Sequence, residues 1–236
     1  FKNSFKSYKM NGSLTYDDYK HLLSENLIQN NSKIINQIQP SSIDLTLSDE
    51  CYEIKSSFLS PKYKLRKKLP EMIINKFDLS QQKIFHKNKT YLVRLNEKLN
   101  LKNNIKGLCN PKSSTGRLDI FCRTVLDYSD EYEKIPMNYN GEIFLEITSQ
   151  SFDIEFKAGD SLNQMRLVFS KNNYINDRDL NKLFENNPIV FDEDNKIIKP
   201  YIDNGLKVSV DLSNNKSICG YRAKKNSPVL RFSKIK

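Results

Sequence analysis

The feature that most constrains this chain is a succession of short apolar runs, broken by turn residues and not separated by helical periodicity. Ile43, Leu45 and Leu47 alternate with Asp44 and Thr46, the pattern of a strand with one face buried. Similar runs follow at 90–95, 105–109, 141–148, 152–156 and 165–169, with turns such as 157–160 between them. Many short strands without intervening helices point to an all-β sandwich or barrel. The flanks read differently. Thr15 is placed to cap a helix with Asp17 and Asp18 in its first turn and with Tyr16, Tyr19, Leu22, Leu23 and Leu27 at helical spacing. Beyond residue 170, Asp177 is expected to cap a short helix carrying Leu180, Leu183 and Phe184 and ending before Pro188. The alternation at 206–212 predicts a last strand before a basic tail. The expected organisation is an N-terminal helical segment (1–35), a β core (36–170) and a C-terminal extension (171–236).

A chain of 236 residues with 38% apolar and 11% aromatic content can bury a core and is not a disordered polypeptide. Its net charge of +10 favours an anionic partner, whether nucleic acid, membrane surface or nucleotide phosphate, without choosing among them. The densest basic run, 62–68, reads as a solvated loop. The cysteines Cys51, Cys109, Cys122 and Cys219 are far apart and form no C-x-x-C pair, which predicts a reducing, cytoplasmic setting. No apolar run approaches the ~18 residues of a membrane-spanning helix. The two histidines, His21 and His86, have no partner at ligand spacing, so a catalytic zinc and a Ser-His-Asp triad are not expected. A phosphate-binding loop of the G-x-x-x-x-G-K-[ST] type fails as well, because Lys112 stands where its second glycine should follow Gly107.

Two stretches carry chemistry. In 110–119, Pro111 ends a strand and Ser113, Ser114 or Thr115 would cap a short helix whose free N–H groups, with Lys112 and Arg117, suit a small anion. A well-capped basic helix start without a ligand fits the same letters. In 139–146, strand alternation puts Ile143, Leu145 and Ile147 on one face and Phe144, Glu146 and Thr148 on the other. A carboxylate between bulky apolar neighbours suits a general base, although a glutamate on a wet sheet face reads the same way.

Taken together, Gln39-Pro-Ser-Ser-Ile-Asp-Leu45, Pro111-Lys-Ser-Ser-Thr-Gly-Arg117 and Tyr139-Asn-Gly-Glu-Ile-Phe-Leu-Glu146, in this order, resemble the dCTP deaminase family. The spelling of 110–119, with 205–212 and Gly220-Tyr-Arg-Ala-Lys224, is similar to its longer bacterial branch, in which a further β repeat would follow. The resemblance implies a mainly β fold, a distorted β-barrel or jelly-roll of the dUTP diphosphatase-like type with a few short helices, assembled as a homotrimer. It implies hydrolytic deamination of dCTP to dUTP and ammonia. Glu146 would be the general base, with Ser113 and Arg117 ordering it and its water. Lys112, Ser114, Thr115, Gly116, Phe144 and Tyr139 would bind the nucleotide, and Tyr221, Arg222 and Lys224 would close over it as tail contacts. Mg2+ would accompany the triphosphate, zinc would take no part, and neither membrane nor nucleic acid would be a partner. One position departs from the short family members: Pro136 stands where they carry an Asp that contacts the sugar, and Asp127 or Asp130 would substitute. A dUTP diphosphatase, alone or coupled to deamination, is the alternative. It is weakened by the missing Asp and by a glutamate where diphosphatases have an apolar residue. A non-catalytic nucleotide- or nucleic-acid-binding module is the third reading.

Overall fold

The computed structural model describes residues 12–30, 34–169, 175–210, 218 and 220–234. The chain is mainly β, with its strands in three sheets, none closing into a barrel among the described residues. In the first sheet, Asn163–Phe169 lies between Ile105–Pro111 and the short strands Gly12–Ser13 and Ile43–Leu45, and Lys134–Ile135 borders Ile105–Pro111. The second runs in the order Ile73–Asp78, Leu47–Ile54, Thr90–Asn100, Asn140–Ser149, Ile120–Leu126, with Ile28–Gln29 against Thr90–Asn100. The third joins Lys83–Phe85, Ile154–Phe156 and Leu230–Arg231. The second sheet is apolar on both faces. Ile143, Leu145 and Ile147 enter the main core, while Phe144, Leu92, Val125 and Tyr52 build a smaller cluster on the opposite face. Burial on both sides explains why strict alternation of apolar and polar residues fades at the centre of this sheet.

Helices are few. Thr15 caps Tyr16–Ser24 through a capping box with Asp18, and the buried Tyr19 ties that helix to the first sheet by donating to the Met165 carbonyl and accepting from the Leu167 amide. The basic run is not a solvated loop. It enters the helix Leu65–Met72, which buries Leu65 and Leu69 one turn apart under the smaller cluster. Pro70 within it and the surrounding lysines hide its periodicity. The helix at 177 is Asp177–Asn186, capped by Asn176, whose side chain accepts from the Asp179 amide. Asp177 instead accepts from the amides of Asn204 and Gly205. The strand expected at 206–212 does not form over its described part, 206–210. Leu206 makes an isolated bridge to Ile202 that does not extend into a strand, and Val208 and Val210 are 88% and 81% exposed. Residues 211 and 212 lie outside the described residues.

The chain divides into two compact units. One comprises residues 1–171 with 223–236, and the other residues 172–222.

Candidate functional site

Glu146 sits at the middle of Asn140–Ser149, opposite Leu92 on one neighbouring strand and Arg123 on the other. It points to the face of Phe144 and is 2% exposed. The Oε1 atom accepts from the Ser57 hydroxyl and from Arg123 Nε, each at 2.9 Å. The Oε2 atom is buried and, among the described residues, has no hydrogen-bond partner. A shielded carboxylate with one oxygen anchored and the other unclaimed is equipped to hold and deprotonate a water.

The Arg123 guanidinium lies over the Tyr132 ring, 3.5 Å from its centroid, and 5.1 Å from that of Phe121. Neither Arg123 nor Ser57 or Tyr132 stands out in the sequence. The available signal is an arginine in mid-strand between the buried Cys122 and Thr124.

The stretch 110–119 folds otherwise than the letters suggest. The strand runs through Pro111, which pairs with Asn163. The helix is only Ser113–Arg117, its N-cap is Lys112, and no side chain caps it. Thr115 is fully buried and donates to the Leu162 carbonyl at 2.8 Å, while the Lys112 amide donates to the same carbonyl. The Lys112 ammonium pairs with Asp44. Ser113, Gly116 and Arg117 are exposed and Ser114 is half-buried. A cavity of about 240 Å³ lined by Gln39, Asp44, Lys112, Ser113 and Gln164 joins this turn to the 39–45 stretch. Two separate sequence motifs therefore share one polar recess, in which the Lys112 ammonium is paired with Asp44. Within the single chain, and among the described residues, no hydrogen bond or ion pair links Glu146 to Ser113 or Arg117.

Phe144 is fully buried. The Tyr139 hydroxyl donates to the Glu142 carbonyl at 2.7 Å and accepts from the Asp127 amide. It crosses so close over Gly141 that a Cβ there would come 2.5 Å from its oxygen. Burial pushes the Tyr139 phenol well above its usual range. Asp127 is buried and accepts from the Leu65 amide at the start of the basic helix, whereas Asp130 and Pro136 are exposed. With Lys64, Arg66, Lys98, Asn140, Gly141 and Glu142, Asp127 lines a cavity of about 380 Å³. Tyr221 and Arg222 lie in the 172–222 unit and Lys224 in the other, all three exposed.

The model of the 2'-deoxycytidine 5'-triphosphate deaminase N-terminal domain matches residues 10–171, and that of the C-terminal domain matches residues 176–236. The chain belongs to the dCTP deaminase family. The solved structure of 2'-deoxycytidine 5'-triphosphate deaminase from Agrobacterium tumefaciens agrees with it at a TM-score of 0.83 and 31% identity, over 95% of this chain and 67% of that one. No curated protein sequence matches. The expected mainly β fold is thus the family's own. Membership places Glu146 and the 112–117 turn within the N-terminal dCTP deaminase domain. No helix among the described residues is long and apolar enough to cross a membrane.

Proposed function

We propose that this protein is a dCTP deaminase, releasing dUTP and ammonia, with Glu146 as its general base. The observation that carries this reading is the Glu146 carboxylate itself, in a chain matched along nearly its whole length by the family's two domain models. A water bound at Oε2 gives its proton to the carboxylate as its oxygen attacks C4 of the cytosine. That proton passes to N3, the hydroxyl proton of the C4 adduct then passes by way of the carboxylate to the amine, and C–N cleavage releases ammonia and restores the carbonyl. The chain contributes the position of the water and a proton acceptor beside it. The Lys112 ammonium and the Ser113 and Ser114 groups supply the phosphate contacts, since the Thr115 hydroxyl and the Thr115 and Gly116 amides are already engaged within the turn, and Mg2+ would come with the nucleotide. Asp44 is the only carboxylate among the residues lining the recess, and it already neutralises Lys112. Among the described residues no group of three or more His, Cys, Asp or Glu side chains is arranged to hold a metal. Ser113 and Arg117 reach the base of a neighbouring copy, in keeping with a homotrimer.

The deciding experiment follows ammonia and pyrophosphate release from dCTP and dUTP by the parent and by Glu146→Gln. Ammonia from dCTP, reduced about 10²- to 10⁴-fold in the variant, is the expected result. Pyrophosphate without ammonia would replace deamination by diphosphatase chemistry. Undiminished ammonia release by Glu146→Gln would remove Glu146 as the base.

A further inference from the structure

The segment from Asp127 to Glu133 ends in two residues that grip the strand beside the base. Among the described residues, Ile120–Leu126 is an edge strand, paired in its sheet with Asn140–Ser149 alone. At Thr124 its outward-facing backbone is taken on both sides by Glu133. The Glu133 amide donates to the Thr124 carbonyl at 3.2 Å, and its carboxylate accepts from the Thr124 amide at 2.7 Å. A side-chain oxygen here does what a neighbouring strand's carbonyl would do. Glu133 holds this posture with φ of 63°, a left-handed backbone that a residue other than glycine or asparagine rarely adopts. Its own carbonyl is fixed by the Cys109 amide at 2.7 Å. The preceding residue, Tyr132, puts its ring under the guanidinium of Arg123, the residue before Thr124. Arg123 in turn delivers Nε to Oε1 of Glu146.

We infer that Arg123, held flat against Tyr132 by the Asp127–Glu133 segment, is a positioning residue that fixes the Glu146 carboxylate and leaves Oε2 as its working oxygen. The physical reasons are specific. An arginine stacked on an aromatic face loses the rotamer freedom that would blur a single N–H···O contact. A carboxylate has two equivalent oxygens, and anchoring one of them selects which lone pairs face the substrate. A near-attack geometry tolerates little error, so the cost of a loose carboxylate falls on the chemical step.

This inference rests on the reading of Glu146 as the base, and the test separates the two. Ammonia release from dCTP is measured for the full chain and for Arg123→Ala, Arg123→Lys, Tyr132→Leu, Tyr132→Phe and Glu146→Gln. Arg123→Ala is expected to lose about 10- to 100-fold in kcat, with KM for dCTP changed no more than about three-fold. Low, non-denaturing guanidinium is expected to restore part of that loss, and none of the loss in Glu146→Gln. Tyr132→Phe, which keeps the ring, stays near the parent, and Tyr132→Leu does not. Parent-like kcat in Arg123→Ala and Tyr132→Leu, with Glu146→Gln inactive, overturns the inference alone. A loss confined to KM overturns it too. Parent-like turnover by Glu146→Gln overturns both readings. If Arg123→Ala does not fold, Arg123→Lys and Tyr132→Leu decide by the same kcat criterion, because each retains a folded-state packing partner at its position.

Discussion

Glu97 and Glu146 stand on adjacent strands of one sheet and are both withdrawn from water, at 0% and 2% exposure, yet they are treated in opposite ways. The two oxygens of Glu97 are fully used. Oε1 accepts from Asn30, Gln37 and the Thr46 hydroxyl, and Oε2 from the Thr46 amide. Every one of these donors is neutral, and burial pushes the carboxyl above the usual glutamate range against their pull. Glu146 has a cation on one oxygen and nothing on the other. Burial is therefore common to both, and unfilled hydrogen-bonding capacity is what sets the candidate base apart. The Glu133 carboxylate also leaves one buried oxygen without a partner while it holds Thr124, so spare capacity marks Glu146 only together with its place beside Arg123 and Ser57.

The contrast can be broken most directly by exchanging charge for shape. Glu146→Gln should abolish nearly all turnover, by the factor given above, while the melting temperature moves by no more than about 3 °C, since no donor loses its acceptor. Glu97→Ala should do the reverse. Several buried donors are orphaned at ~1–3 kcal/mol each, so a loss of about 3 kcal/mol and a melting temperature lower by about 10 °C are expected, with kcat per folded molecule nearly intact. Thermal denaturation beside ammonia release reads both. A Glu97→Ala protein that is stable but inactive would end the distinction.

Glu50, on the strand Leu47–Ile54, sharpens it with a smaller effect. Burial alone would raise its carboxyl, but Arg66, Tyr52 and Arg94 outweigh it and bring the value down from 4.5 to about 2. A lowered value means that the ionised form favours the folded state. The stabilisation is present above about 4.5 and is lost as pH falls toward about 2. The melting-temperature gap between the parent and Glu50→Gln should shrink over that window. A gap independent of pH would show that the Arg66–Glu50–Arg94 network adds nothing to stability, as many exposed ion pairs do not.

How much of this was legible follows from where each signal resides. The strands carrying 43–45, 90–100, 140–149 and 163–169 announce themselves by local pattern, and Thr15 and Asp18 announce their helix by capping chemistry alone. The strand pattern alone left Glu146 open between a base and a glutamate on a wet sheet face, and the resemblance of 139–146 to the family singled it out. Its partners were not visible. Ser57 and Arg123 meet it from 89 and 23 residues away, through cross-strand pairing that no local window contains. Tyr132 and Glu133 lie in a stretch that reads as a polar loop, and their purpose appears only once Thr124 is an edge. The opposite error occurred at 206–210, where good alternation lacked a second strand to pair with. Lys112 was foreseen as a cation for an anion, but the Asp44 that engages it comes from a motif separated from it by 68 positions.

The pairing of Leu230–Arg231 alongside Ile154–Phe156, with Phe232 packed on Phe156 at 5.2 Å between ring centroids, has a practical corollary for anyone cutting this polypeptide. A stop codon placed after residue 171 would strip away a parallel strand and uncover an aromatic side chain now shared by Phe85 and Phe232. The truncated product would then present a bare sheet margin, a surface prone to sticking to its own kind. Excising 172–222 and rejoining the flanks with a flexible tether would keep that margin covered, which makes loop replacement a safer dissection than truncation.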